Sequence, residues 1–334
     1  MLNNATILVT GGTGSFGQKF TKMTLEKYNP KKIIIFSRDE MKQWDMAQKF
    51  NHDERLRFFI GDVRDKDRLA RAFNGVDFVV HAAAMKIVPV AEYNPFECVK
   101  TVIHGAMNVV DVAIDKGVRR VVALSTDKAC NPINLYGATK LCSDKLFVAG
   151  NSYTGSHITK MSVVRYGNVM GSRGSVIPFF RSLTKTGRLP ITDERMTRFM
   201  ISLEQGVELV WLAFDDMVGG EIYVKRIPSM KIIDIAKVIA PEAKLDFVGI
   251  RPGEKLHEVM ISVEDARNTF EYENYYKILP QIHDWSSDPA RITGGIPCQD
   301  GFSYASDTNK DWMTPDALKS WIKREYGVSH NEEN

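Results

Sequence analysis

The apolar run Thr6-Ile7-Leu8-Val9-Thr10 passes directly into Gly11-Gly12-Thr13-Gly14-Ser15-Phe16-Gly17. A strand that feeds a glycine loop and then a helix has few possible uses. One glycine allows a sharp backbone turn, a second admits a pyrophosphate, and a third lets the helix pack closely on the sheet. The free N–H groups at the helix start then face the phosphate charge. Gly11, Thr13, Gly14, Ser15, Phe16 and Gly17 are therefore candidate dinucleotide contacts.

Further β-type runs follow at regular intervals. They are Lys32–Phe36, Arg57–Ile60, Val76–His81, Val121–Leu124 and Met161–Tyr166. Runs apolar on both faces, separated by amphipathic stretches, suit parallel strands covered by helices on both sides. The expected class is α/β, a Rossmann-like doubly wound parallel sheet with a smaller interleaved C-terminal substrate domain. Residues 1–170 are read as the dinucleotide domain, with returning segments about 200–225, and 171–334 as mainly the substrate domain. Past Gly171, Pro and Gly punctuate shorter segments, and helices are expected over Leu203–Asp215 and Lys231–Ile239. The polar end, 329–334, is expected to fray.

The net charge of +3 over 334 residues gives no reason to expect nucleic acid. No apolar run approaches ~20 residues, so no membrane span is expected, and the N-terminus lacks a secretory pattern. Four scattered cysteines without a CxxC spacing indicate neither a metal site nor a disulfide framework, which fits a cytoplasmic protein.

The second strand ends in Phe36-Ser37-Arg38-Asp39-Glu40, with Lys42 one turn on. An NAD site usually places an acidic residue at this tip for the ribose diol. Ser37, Arg38 and Lys42 instead suit a 2′-phosphate, which favours NADP, while Asp39 keeps NAD open. Asp62 and Val63 follow the third strand, where adenine would lie. Ala82 and Ala83 follow the fourth, small enough for the backbone to approach a cofactor.

Tyr136 and Lys140 are four apart, on one face of an expected helix. The Lys140 ammonium would lower the phenol from its reference pKa of ~10, so that Tyr136 can take a proton from a substrate hydroxyl as hydride leaves the same carbon. Upstream stands Thr126-Asp127-Lys128. An enzyme that only oxidised an alcohol would not need this second acid/base pair.

At these residues the chain resembles the extended short-chain dehydrogenase/reductases that act on nucleotide sugars, from Ile7 to about Glu258. Simple 4-epimerases of that family carry Ser or Thr at the strand tip, and retaining 4,6-dehydratases carry Thr-Asp-Glu. Thr126-Asp127-Lys128-Ala129, followed by Asn131-Pro132-Ile133-Asn134-Leu135-Tyr136-Gly137-Ala138-Thr139-Lys140, is similar to the inverting UDP-N-acetylglucosamine 4,6-dehydratases, which in bacteria start the pathway to pseudaminic acid. The resemblance implies a UDP-N-acetylglucosamine substrate, regenerated NADP and a homo-oligomer. Tyr136 would deprotonate the C4 hydroxyl. Lys128 would take the C5 proton, its pKa lowered by burial and Lys140, and Asp127 would protonate the departing C6 hydroxyl. Hydride would return to C6, and Tyr136 would reprotonate C5 from the other face. The product would be a UDP-linked 2-acetamido-2,6-dideoxy-L-arabino-hexos-4-ulose.

The resemblance also implies that Tyr166 faces the nicotinamide and that Asn168 lies by the sugar-nucleotide phosphates. Arg251 would pair with the diphosphate, Glu254 would buttress it or contact the uridine ribose, Thr192 would meet uracil, and Lys86 would lie near the reacting sugar. One departure stands out. Many relatives have Thr-Asn-Val-x-Gly where this chain has Thr101-Val102-Ile103-His104-Gly105, so Val102 cannot make that hydrogen bond. The competing readings are a UDP-sugar 4-epimerase, a retaining dehydratase and a non-catalytic NADP-binding regulator.

Overall fold

In the computed structural model, which describes residues 1–282 and 287–327, the six apolar runs are strands β1 (Thr6–Thr10), β2 (Lys32–Ser37), β3 (Leu56–Ile60), β4 (Phe78–His81), β5 (Arg120–Leu124) and β6 (Lys160–Arg165). They pair in parallel in the order β3-β2-β1-β4-β5-β6. Ile7, Val9, Val79, Val121, Val122 and Val163 are fully buried, as they must be where helices cover both faces. Chain order reverses between β1 and β4. In such sheets the crevice at the carboxyl ends of the strands is where ligands bind.

Local chemistry sets the helices that flank this crevice. The first helix, Ser15–Lys27, starts at Gly14 with no side-chain cap, which leaves its N–H groups free. Asp39 caps Glu40–Lys49 by accepting from the Lys42 amide. Asn134 caps Leu135–Gly150 by accepting from the Gly137 amide at 2.8 Å. Ser202 and Gln205 form a reciprocal capping box on Leu203–Asp216.

The second half of the chain returns to the first. Strand Ile222–Lys225 adds in parallel to β6, within the 200–225 return expected from the sequence. The sheet then extends further than expected. Tyr275–Ile278, Thr269–Glu271 and Ile296–Pro297 add antiparallel beyond it, giving ten strands among the described residues. Those edge strands have two to four residues each, too short for a periodic signal. A separate apolar cluster of Met170, Ile177, Phe180, Leu189, Ile235, Leu318 and Trp321 gathers the remaining segments with helix Pro315–Tyr326.

No helix among the described residues is long and apolar enough to cross a membrane. The stretch 329–334, expected to fray, lies outside the described residues.

Helix Leu203–Asp216 ties the returning segment to the sheet, with the Phe214 ring edge-on to Phe78 at 5.2 Å. Both rings are buried. Phe214→Ala should therefore cost about 3–5 kcal/mol of unfolding free energy in urea titration. A loss under about 1 kcal/mol would show that the return is not part of the cooperative core.

Candidate active site

The glycine loop is shaped for close approach. Gly11 has φ +65°, and a Cβ there would stand 2.9 Å from the Ala83 amide nitrogen. Ala82 and Ala83 thus meet the loop directly, and Gly17 lies flush on Gly12. Thr13 is buried, Ser15 and Phe16 begin the first helix, and Phe16 packs against Phe20. This cradle, with an uncapped helix start behind it, fits a dinucleotide pyrophosphate.

At the tip of β2 the Ser37 hydroxyl accepts from Gln43 Nε2 at 3.0 Å. Asp39 is spent on its helix: it caps Lys42 N and pairs with Lys42 Nζ at 2.6 Å. Arg38 projects with 61% of its side chain exposed, 3.7 Å from Asp62. Asp62 also accepts from the Arg64 amide and guanidinium. Partial burial opposes its charge, but the Arg64 contacts win and hold it below the ordinary carboxylate range. Val63 is buried against Gly105.

Thr126, Asp127, Lys128 and Tyr136 are brought together at the tip of β5. Thr126 Oγ1 donates to Asp127 Oδ1 at 2.9 Å, and Lys128 Nζ donates to the same oxygen at 3.1 Å. Lys128 Nζ also donates to Glu258 Oε1 at 3.0 Å. Gly137 lets the first turn of the helix carrying Tyr136 press onto the Lys128 carbonyl, since a Cβ there would collide with it. Asp127 is 1% exposed and its Oδ2 is buried without a partner. Burial and the Glu258 charge hold Asp127 above the usual carboxylate range, against Lys128 and Thr126.

Two expectations about charge are overturned here. Burial does disfavour the Lys128 ammonium, but Asp127 and Glu258 outweigh it, so the Lys128 pKa is raised, not lowered. Tyr136 is pushed up to about 12 by burial, and the cation that opposes this is Lys128, with a hydrogen bond from Thr126. Lys140 lies behind them, buried, and donates to the Leu124 carbonyl. Burial lowers its pKa while Asp144 opposes. Asp144 sits four residues on from Lys140, accepts from Ser125 Oγ at 2.6 Å and faces Arg165 at 3.4 Å. That i,i+4 spacing was a readable signal for Asp144. Glu258, 130 positions from Lys128, had none.

The other expected residues come from several separate elements. Tyr166 is buried and its carbonyl accepts from the Asp127 amide at 3.2 Å. Asn168 Oδ1 is buried with no partner, poised for a donor. Lys86 Nζ donates to the Arg173 carbonyl at 2.7 Å, and the Arg173 amide donates to Ser15 Oγ at 3.3 Å. The loop after Asn168 thus bridges to the first helix. Arg251 pairs with Glu254 at 2.6 Å. Asn134 Nδ2 donates to the Gly253 carbonyl at 2.8 Å and draws this segment to the helix of Tyr136. Thr192 follows strand Arg188–Ile191, half-buried. Val102 lies in a π-helical turn, Lys100–His104, and packs with Ala91, Cys98 and Tyr136.

Comparison with known proteins finds relatives over nearly the whole chain. The profile of a family described as polysaccharide biosynthesis protein matches residues 7–280. The chain is 57% identical to the UDP-N-acetylglucosamine 4,6-dehydratase (inverting) of Campylobacter jejuni, over 98% of this chain and 100% of that one. The X-ray structure of Pen from Bacillus thuringiensis superposes with a TM-score of 0.90 at 33% identity, covering 98% of this chain and 100% of that one. DesIV, a dTDP-glucose 4,6-dehydratase of Streptomyces venezuelae with NAD bound, gives a TM-score of 0.69 at 25% identity, covering 75% and 86%.

Because Tyr136 is pushed up to about 12, the protein by itself should hold this phenol neutral through the physiological range. In absorbance titration at 295 nm, wild type and Tyr136→Phe should show the same phenolate signal up to about pH 10.5. Extra ionisation in wild type below about pH 9 would contradict the buried setting described.

Proposed function

The chain belongs to the polysaccharide biosynthesis protein family, within the extended short-chain dehydrogenase/reductases, and we propose that it catalyses the inverting 4,6-dehydration of UDP-N-acetylglucosamine. One observation carries the reading: buried Asp127 and half-buried Lys128 form an acid/base pair at the strand tip beside Tyr136. A 4-epimerase has work for Tyr136 and Lys140 but none for that pair.

We assign NADP as the cofactor. The cradle at Gly11 and the uncapped first helix would hold its pyrophosphate, and Arg38 and Lys42, with Ser37, would receive the 2′-phosphate. Asp39 caps its helix and pairs with Lys42, which supports NADP over NAD. When bound, NADP supplies the hydride acceptor for C4 and the hydride donor for C6, and its oxidised ring adds positive charge to the crevice.

The chain's own groups move the protons. Tyr136 Oη takes the C4 hydroxyl proton, and the Lys128 ammonium beside it favours the phenolate. The new ketone acidifies C5. Lys128 passes a proton to Asp127, which leaves a neutral amine and a neutral acid. The amine then takes the C5 proton while Asp127 gives its proton to the C6 hydroxyl, which departs as water. Tyr136, now carrying the C4 proton, is the assigned donor to the opposite face of C5. Arg251, braced by Glu254, would grip the diphosphate. Asn168 would lie near it, with Lys86 toward the sugar and Thr192 toward the uracil. We place the reaction in the cytoplasm, where scattered cysteines stay reduced.

Incubation with UDP-N-acetylglucosamine in D2O, followed by mass spectrometry and proton NMR, tests this. Wild type should lose one water and carry deuterium at an inverted C5. A product of unchanged mass would indicate an epimerase, and no product would defeat the reading. Tyr136→Phe should leave the cofactor oxidised. Lys128→Ala should reduce its cofactor on adding substrate yet release no water. Oxidation in that variant should be slow and partly recovered at higher pH, because Lys128 also favours the phenolate. Dehydration by Lys128→Ala at near wild-type rate would remove Lys128 as the base.

Arg38→Asp should weaken NADP by on the order of 2 kcal/mol or more and NAD far less, because a phosphate-pairing cation becomes an anion. Equal losses for both cofactors in binding titrations would overturn the NADP assignment.

A further inference from the structure

Lys128 already has a carboxylate partner in Asp127, yet a second one reaches it from across the fold. Glu258 Oε1 stands 3.0 Å from Lys128 Nζ, with its side chain 2% exposed and its Oε2 buried without a partner. A buried carboxylate is costly unless it is compensated, and the surroundings are built to hold this one. The Glu258 amide donates to Ser306 Oγ at 2.9 Å, and its carbonyl accepts from the Ser306 amide at 2.8 Å. Ser306 Oγ meets Thr197 Oγ1 at 2.7 Å. Arg198 places Nε 3.7 Å from Glu258 Oε1. The guanidinium itself is pinned, donating to the carbonyls of Thr197, Leu256 and Lys255.

Resting on the dehydratase reading, we propose that Glu258 is a positioning residue for the elimination step: anchored by Arg198 and Ser306, it holds the Lys128 amine against Asp127 and directs the proton that Lys128 sheds onto Asp127. In that transfer a Lys128 N–H bond breaks and an Asp127 O–H bond forms. Glu258 stays a carboxylate opposite Arg198, so the cluster remains neutral before and after. The charged and titratable groups that face Lys128 are Asp127, Glu258, Arg198 and Tyr136. Those that face Glu258 are Lys128, Arg198, Lys255 and Asp127, with His257 one step away on Thr197. Burial opposes the Glu258 charge, but Lys128 and Arg198 hold it below its usual range, whereas Asp127 is held above its own.

Asp127 and Lys128 together then carry one mobile proton. Gain of a second proton sets the acid limb of the rate profile, and loss of the one sets the alkaline limb. A negative charge at Glu258 makes both protonations easier and raises both limbs. E258Q keeps the shape and removes the charge. It should lower kcat by about tenfold or more and move both limbs of the dehydration profile to lower pH by about one unit. E258D, with its charge drawn back by one methylene, should shift them the same way by less, and it gives the reading if E258Q does not fold. Both variants are checked by circular dichroism and melting temperature. Carbon-13 NMR of the Asp127 carboxyl, assigned with Asp127→Asn, reads the same pair without substrate, and its midpoint should fall in E258Q and, by less, in E258D. Wild type that forms no dehydrated product would sink the dehydratase reading alone, since the carboxyl titration still decides the role of Glu258. A uniform fall in rate with unmoved limbs, or an unmoved carboxyl midpoint, would overturn the role given to Glu258.

Discussion

Taking Asp127, Lys128, Glu258 and Arg198 out of water is costly for each of them. The fold tolerates it because the four alternate in sign and lie within ion-pair reach, at 3.1, 3.0 and 3.7 Å in turn. The constraint reaches well beyond the site. Lys128 comes from the tip of β5, Arg198 from strand Thr197–Ile201, and Glu258 from just before strand Val259–Ile261, which is clamped to Tyr304–Ala305. Asp127 and Lys128 pair locally, but three distant parts of the chain must dock before all four charges are compensated. The interleaving of the two halves completes this set, since the first half alone would leave Lys128 with a single carboxylate.

A second buried set lies between the helix of Tyr136 and β6. Lys140, Asp144 and Arg165 are each nearly inaccessible, and Ser125 ties Asp144 to the strand tip. His81, buried beside this set, is lowered to about 3 by burial and the Lys140 charge and so stays neutral. It serves as a fixed hydrogen-bond partner of Thr10, at 2.9 Å, in keeping with a core histidine. The apolar wall of Ala91, Cys98 and Val102 keeps Tyr136 out of water on its remaining side. Burial of this kind raises the phenol, so a nearby cation is needed to make a phenolate, and Lys128 is the one the chain places there.

Much of this was legible in the residues. Apolar runs buried on both faces announced β1 to β6, and the glycines after β1 announced the loop that meets Ala82 and Ala83. Tyr136 and Lys140, four apart, had to share a helix face, and adjacent Asp127 and Lys128 had to share a turn. Each of these rests on backbone periodicity or on steric need within a few residues, which any reader of the sequence can apply. The short antiparallel strands at the sheet edge were not legible, because two to four residues carry no period.

What the sequence determined by itself was the identity and local spacing of the groups that do chemistry. What only the tertiary structure decided was their state of charge. Lys128 was expected to lose its proton readily and instead keeps it, because Asp127 lies against it and Glu258 joins from 130 positions away. Lys140 was expected to serve Tyr136 as its cation and instead spends its ammonium on the Leu124 carbonyl. Desolvation and Coulomb interaction depend on distance in space and on access to water. Neither quantity is written in the spacing of residues along a chain, so protonation had to wait for the fold.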